Sequence, residues 1–228
     1  MRDARACDAI RGSKKGSAVC PSMKKCLDLP VGEKLYNRKR LLELIHQHAI
    51  RFGDFTLASG KKATYYLDCR QLTLDGEAAN LIAEGMIDTI GDQLPDAVGG
   101  MAIGADPITA SVITRAWQMG KPIKGFIVRK EAKGHGTGQQ VEGPVVEGQT
   151  ALMLEDVITT GGSSLKAIAH AREHGLKVDR LIAIVDRGDR SAEVFAEVDV
   201  KFEALFHVSE VTDGDLSLIH ISEPTRPY

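Results

Sequence analysis

The sequence predicts an α/β fold, a central parallel sheet flanked by helices with a small extended element ahead of it. Three observations carry that prediction. Short apolar runs without polar alternation recur along the chain, as strands buried on both faces require. Segments of helical periodicity separate those runs, and strands alternating with helices imply a parallel sheet built from right-handed crossovers. A length of 228 residues, 43% hydrophobic and 26% charged, suffices for one globular domain with a sizeable core.

Residues 35–52 are predicted as a helix, because Leu35, Leu41, Leu42, Leu44, Ile45 and Ile50 fall on one amphipathic stripe. Residues 55–68 form the small element, with Ser59-Gly60 as its turn and 63–67 extended. A helix is expected over 75–90, a strand over 97–103, a helix over 107–118 and a strand over 123–129. The run Ala151-Leu152-Met153-Leu154 reads as a buried strand ending at Glu155-Asp156, followed by a helix over 165–174. Residues 181–185 form another buried strand and 191–195 a short helix. No internal repeat is present.

The ends stand apart. Residues 1–32 are basic, cysteine-bearing and aperiodic, and read as a disordered extension or an upstream false start; they lack the roughly 7–15-residue apolar core of a signal peptide. Residues 216–228 resemble an in-frame translation of a transposase-type sequencing adapter, which places the domain at 33–215 and its natural carboxyl end outside the chain. A net charge of −2 gives no nucleic-acid footprint, and no apolar run approaches the roughly 20 residues that span a bilayer. Cys7, Cys20, Cys26 and Cys69 form no C-x-x-C pair and have no histidine at zinc spacing, which fits a reduced, cytoplasmic setting.

The most informative stretch runs from Ala151 to Ser164. Gly161 and Gly162 permit backbone angles closed to other residues, so successive N–H groups can converge on an anion where the next helix begins. Thr159, Thr160, Ser163 and Ser164 add hydroxyl donors. Charge-assisted hydrogen bonds contribute roughly 1.5–3 kcal/mol each, against about 0.3–1 kcal/mol from a helix dipole, so backbone N–H groups would carry most of the affinity for a phosphate. Glu155 and Asp156 would repel that phosphate. They suit the hydroxyls of a ribose, or a magnesium ion held mainly by the ligand's own phosphates. The alternative is a strand end with N-capping hydroxyls. A nucleoside-triphosphate P-loop is absent, and Gly134 and Gly136 have no glycine at 139 to complete a dinucleotide fingerprint.

Three further segments carry chemistry. Arg129 to Gly138 concentrates Arg129, Lys130, Lys133 and His135 in a glycine-rich stretch after a strand, as a lid closing over pyrophosphate would, or else is an ordinary solvated loop. Arg187, after the strand 181–185, offers a planar fork for a carboxylate, or else joins a surface ion-pair cluster with Asp186, Asp189 and Arg190. Tyr65 and Tyr66 can stack on a flat base or pack into the core.

The stretch 154–163 resembles the phosphoribosyl-pyrophosphate motif of type I phosphoribosyltransferases, and the chain over 35–211 is similar to the orotate phosphoribosyltransferases within that group. The resemblance implies the type I fold with the segment 55–66 as an amino-terminal hood. It implies phosphoribosyl-pyrophosphate contacts from Glu155, Asp156, Val157, Ile158, Thr159, Thr160, Gly161, Gly162 and Ser163. Arg129, Lys130, Lys133 and His135 would bind the pyrophosphate, with Lys133, Arg129 and Asp156 as the catalytic set. Thr159, Arg187, Tyr65 and Tyr66 would contact orotate. Also implied are Mg²⁺ held mainly by the substrate, without a dedicated protein site, and a homodimer in which the lid reaches the neighbouring subunit's site. The segment Ile103 to Ile108 looks like the family's pyrophosphate loop; Asp106 there suits Mg²⁺ or a helix cap. Two departures stand out: Ala58 replaces a lysine that many members use on the donor, leaving Lys61 or Lys62 to supply that contact, and a loop lysine carried by some relatives is missing. The implied reaction forms orotidine 5′-phosphate and pyrophosphate from orotate. A purine or uracil phosphoribosyltransferase and a non-catalytic sensor of phosphoribosyl pyrophosphate are the alternatives.

Overall fold

The computed structural model describes residues 36–56, 62–131 and 140–212. The extension 1–32, the adapter-like tail 216–228, the turn at Ser59-Gly60 with Ala58 and Lys61, and the lid residues Lys133 and His135 lie outside the described residues.

Helix α1 (Arg38–Leu44) begins where the Asn37 side chain accepts from the Arg40 N–H, and it continues as a π-helical turn, Ile45–Ala49. The amphipathic stripe extends the sequence expectation to residue 52, but the chain turns extended at Ile50, which pairs with Leu67. Strand β1 (Ile50–Thr56) and β2 (Lys62–Leu67) form an antiparallel hairpin of their own, with a bulge between Phe52 and Phe55. A short turn of helix, α2 (Arg70–Thr73), leads to α3 (Gly76–Ile90), which Asp75 caps by accepting from the Ala78 N–H at 2.9 Å.

The main sheet follows as β3 (Ala97–Met101), α4 (Ala105–Gln118), β4 (Lys124–Val128), the brief β5 (Val141–Glu142), β6 (Thr150–Ile158), α5 (Gly162–Glu173), β7 (Lys177–Asp186), α6 (Ser191–Ala196), β8 (Lys201–His207) and α7 (Val208–Thr212). Its strand order is β5-β4-β3-β6-β7-β8, with every pairing parallel except β4 with β5. The expected parallel α/β sheet with a small element ahead of it is therefore present. β8, α7, α2 and β5 were not anticipated, and β6 runs through the acidic pair because β7 pairs with it as far as Ile158↔Asp186.

Both faces of the sheet are covered, which explains the unbroken apolar runs. Leu152, Leu154, Ile182 and Ile184 face a core shared with α1, α3 and α4, while Met153, Leu181 and Ala183 face α5 and α6. Each fully buried leucine or isoleucine stabilises the fold by roughly 1.5–3 kcal/mol. Arg180 ties the far edge together, pairing with Glu203 at 2.8 Å and donating to the Thr89 and Ile90 carbonyls at the end of α3.

Glycine pair Gly99-Gly100 sets the spacing at the centre of the sheet. A Cβ on Gly100 would collide with the Leu154 carbonyl oxygen and lie 2.6 Å from the Ala105 Cβ, neither of which can swing aside. Gly100→Ala should therefore destabilise the protein by about 3 kcal/mol, since overpacking moves backbone rather than a flexible side chain. Urea unfolding measures it, and a midpoint equal to that of the wild type would show that β3 and α4 can separate freely.

Candidate functional site

The carboxyl ends of β3, β6 and β7 open onto one cleft of about 480 Å³. Ligands of parallel sheets bind at this edge, beyond the strand ends and where the strand order reverses. Glu155, Asp156, Val157, Thr159 and Ser163 line it from β6 and the loop that follows. Arg187 enters from β7, Tyr66 from the hairpin, Lys130 from the end of β4, and Met101 to Gly104 from the β3 loop.

Glu155 is buried, with 6% of its surface exposed. The Ser164 hydroxyl donates to its Oε2 at 2.7 Å, so Ser164 serves the carboxylate rather than an anion in the loop. Burial, reinforced by the charge of Asp156, pushes the Glu155 carboxyl up to about 7. Asp156 Oδ1 accepts from the Val157 N–H at 2.8 Å. Gly104 packs close above this pair: a Cβ there would lie 3.3 Å from Asp156 Oδ1 and 3.4 Å from Glu155 Oε1.

The phosphate-type loop turns at Gly161, whose φ of +74° is left-handed. A Cβ there would also lie 2.9 Å from the Phe195 ring. Helix α5 starts immediately afterwards, and the N–H groups of its first turn have no intrahelical partner. Thr160 and Gly161 line an adjoining hollow of about 300 Å³ with Asp189, Arg190 and Ser191. Ile158 is 1% exposed, so its side chain belongs to the core; its carbonyl accepts the Arg187 N–H at 2.8 Å.

Arg187 is held from two sides. Asp186 Oδ1 accepts from the Gly188 N–H at 2.9 Å and the Ser191 hydroxyl at 2.6 Å, which fixes the turn that carries it. Its Nε donates to the Tyr65 hydroxyl at 3.3 Å, with Cζ 4.9 Å from the centre of the Tyr65 ring. The two tyrosines thus divide: Tyr66 lines the cleft, 43% exposed, and Tyr65 backs Arg187. Arg129 lies apart from the acidic pair, bound to Glu142 at 3.0 Å in a neighbouring cleft of about 540 Å³ that shares Lys130. Asp106 caps nothing: Gly104 occupies the N-cap, and Asp106 Oδ1 is buried without a hydrogen-bond partner among the described residues. Burial raises its carboxyl above the usual range.

Sequence reasoning missed Asp68, Cys69 and Arg70 in the cleft wall. Asp68 accepts from Arg70 Nε at 2.7 Å and Nη2 at 3.1 Å, which holds its carboxyl below the ordinary range. The available signal was an Asp-x-Arg triplet directly after a strand. Cys69 is buried, and burial pushes its thiol up, so it is no nucleophile at neutral pH.

The Glu155 environment predicts a pH effect on stability. Its folded pKa lies above the ordinary carboxylate value, so the folded state holds a proton that the unfolded chain releases, and stability falls as pH rises from 4.5 towards about 7. Glu155→Gln keeps an acceptor for Ser164 but removes the charge, and should gain on the order of 2 kcal/mol over wild type between about pH 5 and pH 8. Thermal unfolding at both pH values decides, and identical pH dependence in the two proteins would remove Glu155 from this account.

Residues 74–211 match the family described as the phosphoribosyl transferase domain. The chain is 52% identical over 171 residues to the orotate phosphoribosyltransferase of Rhodopirellula baltica, covering 72% of this chain and 89% of that protein. Among solved structures it is similar to the orotate phosphoribosyltransferase of Mycobacterium tuberculosis in complex with Fe(III) dicitrate, with a TM-score of 0.69 and 35% identity over 76% of this chain and 98% of that one. The same mycobacterial enzyme in complex with 5-phospho-α-D-ribosyl 1-diphosphate gives a TM-score of 0.66 at 30% identity, covering 77% of this chain and 98% of that one. With most of the length of these relatives matched and the family's motif at the mouth of the cleft, the chain belongs to the type I phosphoribosyltransferases, among the orotate phosphoribosyltransferases.

Proposed function

We propose that the chain transfers the ribosyl 5-phosphate group of phosphoribosyl pyrophosphate to N1 of orotate, giving orotidine 5′-phosphate and pyrophosphate, a step of pyrimidine biosynthesis towards UMP. The observation that carries this reading is the union of Glu155, Asp156, Thr159 and Ser163 with Arg187 in one cleft. The first four suit a sugar phosphate. Arg187 suits the carboxylate that separates orotate from uracil, because leaving such a charge unpaired in a closed site costs several kcal/mol.

In this reading the loop Thr160 to Ser163 takes the 5′-phosphate, Glu155 and Asp156 accept from the ribose hydroxyls, and Thr159 and Tyr66 face the base. The bond to diphosphate loosens while positive charge develops at the anomeric carbon. As the N1–C bond forms and the bond to diphosphate breaks, the N1 proton passes to the departing diphosphate or to solvent, and catalysis rests on positioning and on electrostatic stabilisation of the leaving group. Arg129, Lys130, Lys133 and His135 are assigned to the diphosphate.

Mg²⁺ enters this reading as a substrate-borne ion, held mainly by the ligand's own phosphates. Asp156, on the cleft wall beside Glu155, suits a share in such an ion. Bound to the diphosphate, Mg²⁺ would neutralise charge on the departing group. The reading also includes a cytoplasmic homodimer that shares the lid between subunits; among the described residues no helix is long and apolar enough to cross a membrane.

Loss of orotate absorbance with phosphoribosyl pyrophosphate and Mg²⁺ tests the reaction, with uracil and hypoxanthine as competing acceptors. Equal use of uracil would return the chain to the alternative acceptors. Absence of any pyrophosphate release would favour a sensor. Lys133→Ala should lower kcat about a hundredfold while orotate affinity stays within about twofold. An unchanged rate would exclude Lys133 from the mechanism.

A further inference from the structure

We infer that Tyr65 is a positioning residue for Arg187, and through it a determinant of the preference for an acidic base. This rests on Arg187 as the group that grips the substrate carboxylate, and it extends that reading by assigning what aims the arginine and which of its nitrogens remain for the ligand.

The geometry is specific at each nitrogen. Nε of Arg187 is occupied by the Tyr65 hydroxyl at 3.3 Å, and Cζ stands 4.9 Å from the Tyr65 ring centre. Among the described residues neither Nη1 nor Nη2 meets a protein acceptor. A carboxylate in the cleft would therefore meet the end-on Nη pair, the fork that binds two oxygens at once. The backbone of the same residue is already fixed, with its N–H on the Ile158 carbonyl and its turn closed by Asp186. Tyr65 supplies the remaining restraint, on the flexible side chain itself.

The strand geometry explains why Tyr65 takes this task and its neighbour does not. Alternate residues of β2 point to opposite sides, and Tyr65 pairs across the hairpin with Phe52 while Tyr66 pairs with Arg51. Tyr66 lines the cleft and is free to meet a base. The Tyr65 hydroxyl and ring are both engaged by one guanidinium, so stacking on the base is the less favoured role for it. A guanidinium lying on an aromatic face and hydrogen-bonded at Nε has lost most of its rotamer freedom before substrate arrives.

The test compares wild type with Tyr65→Phe, Tyr65→Leu, Arg187→Leu and the Tyr65→Leu/Arg187→Leu double variant of the full chain. Four quantities are measured: KM for orotate, KM for phosphoribosyl pyrophosphate, kcat, and the inhibition constant of uracil, which lacks the carboxylate. Tyr65→Phe, which keeps the ring, should raise the orotate KM about threefold, and Tyr65→Leu about tenfold. The phosphoribosyl-pyrophosphate KM and the uracil constant should stay within about twofold in both. The double variant should match Arg187→Leu alone, since Tyr65 has nothing left to aim.

Each other outcome overturns the proposal in a distinguishable way. If Arg187→Leu leaves the preference for orotate over uracil intact, the reading of Arg187 fails and Tyr65 falls with it. If Arg187→Leu abolishes the preference while both Tyr65 variants keep the wild-type orotate KM, only the positioning role fails. A loss of orotate, uracil and phosphoribosyl-pyrophosphate affinity together would make Tyr65 a structural residue of the hairpin. Additive effects in the double variant would give it a separate contact with the base. Should Tyr65→Leu fail to fold, Tyr65→Phe decides alone, through the ratio of its orotate KM to its uracil constant.

Discussion

The parallel register of β6 and β7 is the constraint on which the cleft depends. Ile158 pairs with Asp186, so the two strands end at the same level, and the Arg187 N–H closes the last bond onto the Ile158 carbonyl. The loop from β6 and the arginine from β7 therefore leave the sheet side by side. A slip of one residue would reverse every side chain on β7 between the two cores, exchanging Leu181 and Ala183 for Ile182 and Ile184. Two packed faces thus lock the register, and the locked register places the chemistry. Gly99 and Gly100 complete the arrangement by letting β4, β6 and α4 close around β3, which brings Gly104 over the acidic pair.

Burial of Glu155 is the energetic counterpart of that geometry. An ionised carboxylate with little solvent and a second carboxylate beside it is unfavourable, which is why its proton is held to about 7. Ser164 offsets part of this by donating from the first turn of α5. The remaining deficit is a demand for donors, and the hydroxyls of a ribose are donors of the right kind. In the proposed function, ligand binding and stability are then linked at one residue: what destabilises the protein above neutral pH becomes an attraction for the sugar.

Much of this was legible in the sequence, and the gaps have physical causes. The sheet declared itself through the apolar runs of β6 and β7, whose two covered faces leave no room for polar residues. The helix expected over 35–52 overran because Ile50 extends an amphipathic stripe whose termination depends on pairing with Leu67, seventeen residues away and invisible to local periodicity. β6 was cut short at Glu155 because two adjacent acids look like a strand end. Only the partner strand, pairing on to Asp186, keeps them in the sheet. β8 is interrupted by Glu203 and only partly buried over its first half, so its apolar run is limited to Ala204-Leu205-Phe206. Within the site, the choice between Tyr65 and Tyr66 could not be read, since hairpin register and the bulge after Phe52 decide which one faces the cleft. Asp68 and Arg70 were missed although their contact is local, because only the end of the hairpin brings that pair into the cleft wall.

The hairpin has a further consequence for how this fold divides its labour. β1 and β2 pair only with each other in the described residues, and join the main body through contacts such as the Asp68 N–H on the Ala49 carbonyl and Tyr65 on Arg187. The donor half of the cleft is built from the ends of a six-stranded sheet with little freedom to change. The proposed acceptor side combines Arg187, at the end of β7, with a two-stranded element that has no share in the central hydrogen-bond ladder. In the proposed function, changes in the hairpin alter how Arg187 is aimed without touching the strands that carry Glu155 and Asp156. That division accounts for the sequence signal itself: Arg187 and Tyr65, assigned to the acceptor, lie outside the stretch 154–163, at the end of β7 and on the hairpin, and meet it only after folding.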